Sequence, residues 1–131
     1  MRDLVRARDA AQEMQKHVRQ QLQAFLLRHG RIYPGRKPWT RAYARWGWES
    51  QAFDHHAHHV LLAEYCQAIE DATVRLDRLS KLVVDTAVSW SMAPVVATYQ
   101  AMRGVAFMTA VTFVVEIGDV RRFGNPRQLM A

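Results

Sequence analysis

The sequence predicts an all-α chain: a long antiparallel two-helix coiled coil followed by a truncated helix-hairpin-helix-like domain. Three observations predict it. Two long stretches, residues 1–29 and 60–84, carry apolar residues at alternating steps of three and four, the spacing of a coiled-coil seam. A basic segment broken by Pro34-Gly35 and Pro38 separates them. Near the end, Arg103-Gly104-Val105 forms a short turn between two apolar segments. The expected division is residues 1–88 for the coiled coil with its connecting segment, and residues 89–131 for the N-terminal part of the hairpin domain.

Met1 to His29 reads as one helix. Leu4, Ala7, Ala11, Met14, Val18 and Phe25 form its seam, Gln21 completes the heptad series, and Leu22 and Leu26 widen it. Arg6, Arg8, Lys16, Arg19 and Arg28 ride outside, and Gly30 stops the helix. A helix with no cap before Leu4 points to truncation at that end.

Arg31 to Thr40 is a loop in which Arg31, Arg36 and Lys37 sit beside Tyr33 and Trp39. Basic residues interleaved with aromatics can grip phosphate and stack on exposed bases. Thr40 suits a helix cap, and the helix over Ala42–Glu49 brings Arg41 (at its start), Arg45, Trp46 and Trp48. For Trp46 and Trp48 the simpler reading is a hydrophobic plug against the coiled coil. For Trp39, with Arg36 and Lys37, nucleic acid is the favoured partner.

His55 and His59, in the run Asp54–His59, stand four residues apart, a spacing that can hold a metal on one helix face. No carboxylate or cysteine completes a clear set, so a His-metal hydrolase is the least supported reading and no metal site is expected. Asp54 reads as the cap of the next helix. That helix, Val60 to Val84, has Leu62, Tyr65, Ile69, Ala72, Leu76, Leu79 and Val83 in heptad series. Its length is roughly 37 Å at helical rise, similar to the first helix, so the two can lie antiparallel. Glu70, Asp71 and Asp77 could face the basic first helix within one chain or across a dimer. Asp85 to Ala93 is the expected linker.

Pro94 suits a first helical turn. In a helix-hairpin-helix, a Gly-hydrophobic-Gly turn lets backbone N–H groups approach a phosphate; here Arg103, Gly104 and Val105 are followed by Ala106, not Gly. Val105 to Ile117 is nearly all apolar, and Gly118 follows as a stop. Asn125-Pro126 announces a further helix, with only Arg127 to Ala131 remaining to form it. So short a remnant points to truncation here too.

The net charge is +6, and it is uneven: residues 1–50 carry +7, residues 51–102 carry −3 and residues 103–131 carry +2. A basic front half makes nucleic acid the first candidate partner. A lone cysteine, Cys66, excludes an internal disulfide and a cysteine-based metal site. No signal peptide is visible, and the longest uncharged apolar run, Gly104–Val115, is twelve residues, short of a membrane span. The cytoplasm is the expected compartment.

Three separated blocks carry a family resemblance. The first is Arg2-Asp3-Leu4-Val5-Arg6-Ala7-Arg8-Asp9-Ala10-Ala11. The second is Phe25-Leu26-Leu27-Arg28-His29-Gly30-Arg31 with Tyr33-Pro34-Gly35. The third holds Arg103-Gly104-Val105, Thr109-Ala110, Glu116-Ile117-Gly118-Asp119, Arg122-Phe123 and Asn125-Pro126-Arg127-Gln128-Leu129-Met130-Ala131. In this order they resemble the IS-one-ten family of transposases, across essentially the whole chain.

The resemblance implies a complete protein with a RuvC-like domain before Met1, whose acidic tetrad holds divalent metal, and a nucleophilic serine after Ala131. It also implies a coiled coil that assembles subunits around a guide RNA and two DNA duplexes. Ser50, Ser80, Ser89 and Ser91 do not stand at the serine's place, so no catalytic residue is carried over and no cofactor is expected in these residues. The expectation is a transposase fragment that binds nucleic acid and assembles subunits, in contact with DNA and guide RNA and without a membrane. The candidate contacts are Arg31, Arg36, Lys37, Trp39, Arg41, Arg45, Arg103, Gly104, Val105 and Ala106. The alternative is a stand-alone coiled-coil interaction module with no nucleic-acid role.

Overall fold

The computed structural model describes residues 1–118, 120–125 and 127–128. Asp119, Pro126 and the Leu129–Ala131 helix start lie outside the described residues. All regular structure among the described residues is helical. α1 is Arg2–Arg28, α2 is Arg41–Ala44, α3 is His56–Ala87, α4 is Ala93–Gln100 and α5 is Phe107–Ile117. α2 runs on into a π-helical turn, Arg45–Glu49, and a 3₁₀ turn spans Val120–Arg122.

α1 contains no Gly or Pro and is rich in Ala, Leu, Gln and Arg, all strong helix formers. It ends as its sequence dictates. Gly30 takes φ +69°, its N–H bonds Leu27 O at 3.0 Å, and the Arg31 N–H reaches back to Leu26 O at 2.9 Å. That pair of bonds is a Schellman stop, for which glycine is the best residue. α3 is longer than its seam predicts at both ends. It begins at His56, so His55 rather than Asp54 flanks it, and it extends three residues past Val84 to Ala87. Nothing in the sequence stops it sooner, since the next Pro is Pro94.

The chain forms two compact units: Ala11–Leu76, and Met1–Ala10 together with Asp77–Ala131. In the first unit, α1 and α3 run antiparallel: Gln15 Nε2 donates to Thr73 Oγ1 at 2.9 Å, and ten residues on Phe25 packs on Tyr65 with ring centroids 5.4 Å apart. Val18, Leu22, Phe25, Leu26, Leu62, Ile69 and Ala72 form its core. The α3 seam lies inward as spaced. On α1, Ala11, Val18 and Phe25 are buried, but the alternate positions fall one residue later than expected. Leu22 is fully buried and Gln15 faces Thr73, while Met14 is half exposed at 50% and Gln21 is exposed. Apolarity favoured Met14 in the sequence; the structure admits Gln15 because a partner hydroxyl satisfies its amide.

In the second unit, Val5, Val83, Val96, Ala110, Val111, Val114 and Val115 form an aliphatic core. α4 carries Pro94 in its first turn and is joined to α5 by residues 101–106, where Gly104 takes φ +85°. α5 begins at Phe107 rather than Val105. The Val105 N–H bonds Met102 O at 3.2 Å, holding residue 105 in the turn, and Ala106 is extended (ψ 156°). Gly118, φ +70°, closes α5 by donating to Val114 O at 2.8 Å. The Asn125 cap is present: its Oδ1 accepts from the Gln128 N–H at 3.1 Å, and Gln128 Oε1 accepts from the Gly124 N–H at 2.7 Å.

Candidate nucleic-acid interface

Six of the candidate contacts belong to the segment joining α1 to α3. Thr40 caps α2 by accepting the Tyr43 N–H at 3.2 Å, as expected, and this places Tyr43 inward, 4% exposed. Tyr43 is the hub of an aromatic cluster, with Trp39, Tyr33 and Trp46 at centroid distances of 4.8, 5.1 and 5.7 Å. Burial pushes its phenol pKa up. Gly35 lies so close to the Tyr33 ring that a side chain there would run into it unless the ring shifted, which favours glycine at this position. The π-helical turn is marked by the Ser50 N–H bonding Arg45 O at 3.1 Å, five residues back. It sets Gly47 against Leu26 and packs Trp46 and Trp48 on the core. These two tryptophans therefore form the plug.

The cations divide into two groups. Arg36, Lys37, Arg41 and Arg45 project into solvent. Arg31 is also exposed but is tied back, its Nη2 donating to Ala52 O at 2.6 Å and its guanidinium lying 5.2 Å from the Phe53 ring centre. Trp39 is half-buried and is not stacked with Arg36 or Lys37: the guanidinium carbon of Arg19, from α1, lies 5.0 Å over its ring. Trp39 also has φ +64°, a left-handed conformation that is strained for a bulky residue. Arg19 was legible only as an outward cation of the coiled coil; no local pattern links it to a residue twenty positions later.

Arg103, Gly104, Val105 and Ala106 belong to the other unit. Arg103 and Ala106 are exposed and Val105 is half-buried. Ala106 flanks the N-terminus of α5 without a side-chain cap. Glu116, part of the third sequence block, forms a clamp. Arg6 Nε and Nη2 donate to its two carboxylate oxygens at 3.1 and 3.0 Å, and Arg2 donates to Val115 O at 2.8 Å. The hydrogen bond from Arg6 holds the Glu116 carboxyl below its ordinary range. Arg2 meets the carbonyl end of α5, where a cation is favoured.

The histidines make contacts among themselves and with Phe53. His29 and His58 lie 4.4 Å apart by ring centroids, and His59 Nε2 accepts the Phe53 N–H at 3.1 Å. Desolvation and then His58 lower the His29 pKa. No group of three or more His, Cys, Asp or Glu side chains able to hold a metal occurs among the described residues. The Cys66 thiol is pushed up to about 12, mainly by burial, so it is inert near neutral pH. No helix among the described residues is long and apolar enough to cross a membrane.

Four exposed cations thus stand on one short segment whose tryptophans pack on the core beneath it. Comparison with known sequences adds a relative. Over 130 residues, 99% of its length, the chain is 45% identical to a protein of Sinorhizobium fredii (strain NBRC 101917 / NGR234) named "Putative transposase y4qE". It spans 30% of that relative's length. No protein-family profile matches the chain. No solved structure matches it.

Proposed function

We propose that the chain works as a segment of a transposase of the IS-one-ten type, contributing nucleic-acid contact and subunit assembly rather than strand chemistry. The observation that carries this is the 45% identity to a transposase-named relative along 99% of the chain. The exposed Arg36, Lys37, Arg41 and Arg45 on one short segment support the nucleic-acid part. The resemblance assigns the metal-bound acids and the serine nucleophile to other parts of the whole protein. The chain alone is expected neither to cleave nor to join DNA with added magnesium.

Filter binding of DNA and RNA at two salt concentrations tests the reading. Phosphate contact requires affinity that falls steeply with salt. Arg36→Ala and Lys37→Ala should each weaken binding of all sequences alike and flatten that slope by about one unit per lost contact. Weak binding at both salts would instead favour an interaction module. The observation behind that second reading is the exposed apolar pair Val60 and Val74 on α3 in the Ala11–Leu76 unit, a surface for a partner helix.

A further inference from the structure

A cleft of about 380 Å³ opens beside α1 in the Ala11–Leu76 unit. Four glutamines of α1, together with Arg19 and Trp39, line most of it. Three features set it apart from an ordinary surface groove. Arg19 Nε is buried and has no hydrogen-bond partner among the described residues, an unusual state for a donor. Trp39, on which Arg19 rests, is held in a strained left-handed conformation, and such strain collects at ligand clamps. Half of the lining is amide, a group that can both donate and accept, with Gln15 already donating to Thr73 Oγ1.

We propose that this cleft receives one unstacked nucleobase, placed against the Arg19–Trp39 pair and read along its edge by the glutamine amides. This rests on the nucleic-acid reading above and names the part of the ligand that enters. The chemistry favours a base over a phosphate. Glu13 and Lys16 line the same cleft 3.8 Å apart and largely offset each other, and neutral amides, which match a base edge, make up half of the lining. A neutral heterocycle offers a flat face to stack and ring acceptors for a buried N–H. Paired bases in a duplex present no such face, so the ligand is a single strand or an extruded nucleotide.

The test uses the full chain and two short single strands, one intact and one carrying a central abasic site, each made as RNA and as DNA. The phosphates are then the same and only a base differs. The intact strand is expected to bind about tenfold more tightly, the effect of one stacked base. The strand type that shows the preference identifies the source of the base. Equal, salt-sensitive binding of both strands would overturn the cleft assignment and leave the nucleic-acid reading standing; no binding of either would overturn both. Gln12→Ala with Gln20→Ala, two exposed positions on the cleft wall, should reduce the preference, because edge hydrogen bonds are lost while stacking remains, without changing Tm or abasic-strand affinity. An undiminished preference in that double variant would also overturn the assignment.

Discussion

The two compact units bury their shares of α1 and α3 in different ways. The Ala11–Leu76 unit takes its covering layer from the segment between the two helices, so Tyr33, Trp39, Tyr43, Trp46, Trp48 and Phe53 pack close in sequence to what they cover. It also tolerates a polar pair, Gln15–Thr73, inside the seam. The other unit has a buried centre of Val and Ala only, with Trp90, Tyr99 and Phe107 packed at its edge, and joins distant segments: Val5 belongs to one core with Val111 and Val114, and Arg2 and Arg6 hold Val115 and Glu116 across sequence separations of 110 and more. One core holds Leu, Ile and Phe side chains under rings from the intervening segment, the other a centre of Val and Ala that distant segments must bring together. A single core substitution should therefore cost more in the aromatic unit, where each residue fills more volume.

The largest expected effect tests that contrast directly. Phe25→Ala removes a fully buried ring and should lower stability by about 3–5 kcal/mol in urea unfolding. Val111→Ala, equally buried in the aliphatic unit, should cost about 2 kcal/mol. Equal losses would remove the distinction. Next comes the polar pair. Gln15→Leu removes the donor to Thr73 Oγ1, whose own O–H keeps its bond to Ile69 O at 2.8 Å, and should cost about 1 kcal/mol or less, whereas Gln15→Leu with Thr73→Val should be close to neutral. If the double variant is as unstable as the single one, the pair does more than satisfy itself.

The smallest effects concern pH, and they separate the units by range. The His29 pKa is depressed by desolvation and by His58, so the folded state disfavours its proton. Stability from this group is complete above the ordinary value of 6.5 and is lost as pH falls through the lowered folded value. The Glu116 carboxyl is depressed by the Arg6 hydrogen bond, so its contribution is complete above 4.5 and is lost as pH falls below that. Both groups are solvent-screened, so the changes are small. On acidification the aromatic unit should weaken first, and His29→Asn should flatten that first step while Glu116→Gln flattens the second. Thermal melts from pH 8 to pH 3 check the order.

Much of this architecture is written locally. Gly30, Thr40, Gly118 and Asn125 end or start helices where their own chemistry demands, and the α3 seam from Leu62 to Val83 needs only its heptad spacing. The α1 seam was half legible. Apolar spacing favours Ala7, Met14 and Gln21 as alternates, and only a partner helix carrying Thr73 at the right height makes Gln15 an inward position. The interface divides the same way. Arg36, Lys37, Arg41 and Arg45 are readable as a basic segment from composition, whereas the π-helical turn has no sequence signature that announced it.

By itself, then, the amino-acid order determined the helices, their stops, the basic aromatic segment and the likeness to transposases, because each depends on residues within a few turns of one another. The tertiary structure decided which face of α1 turns inward, that Arg19 rather than Arg36 or Lys37 lies on Trp39, and that Glu116 clamps the first turns of α1. Those outcomes depend on which surfaces meet after the chain reverses. A side chain's partner across such a contact is set by the register of two helices, which neither helix encodes alone.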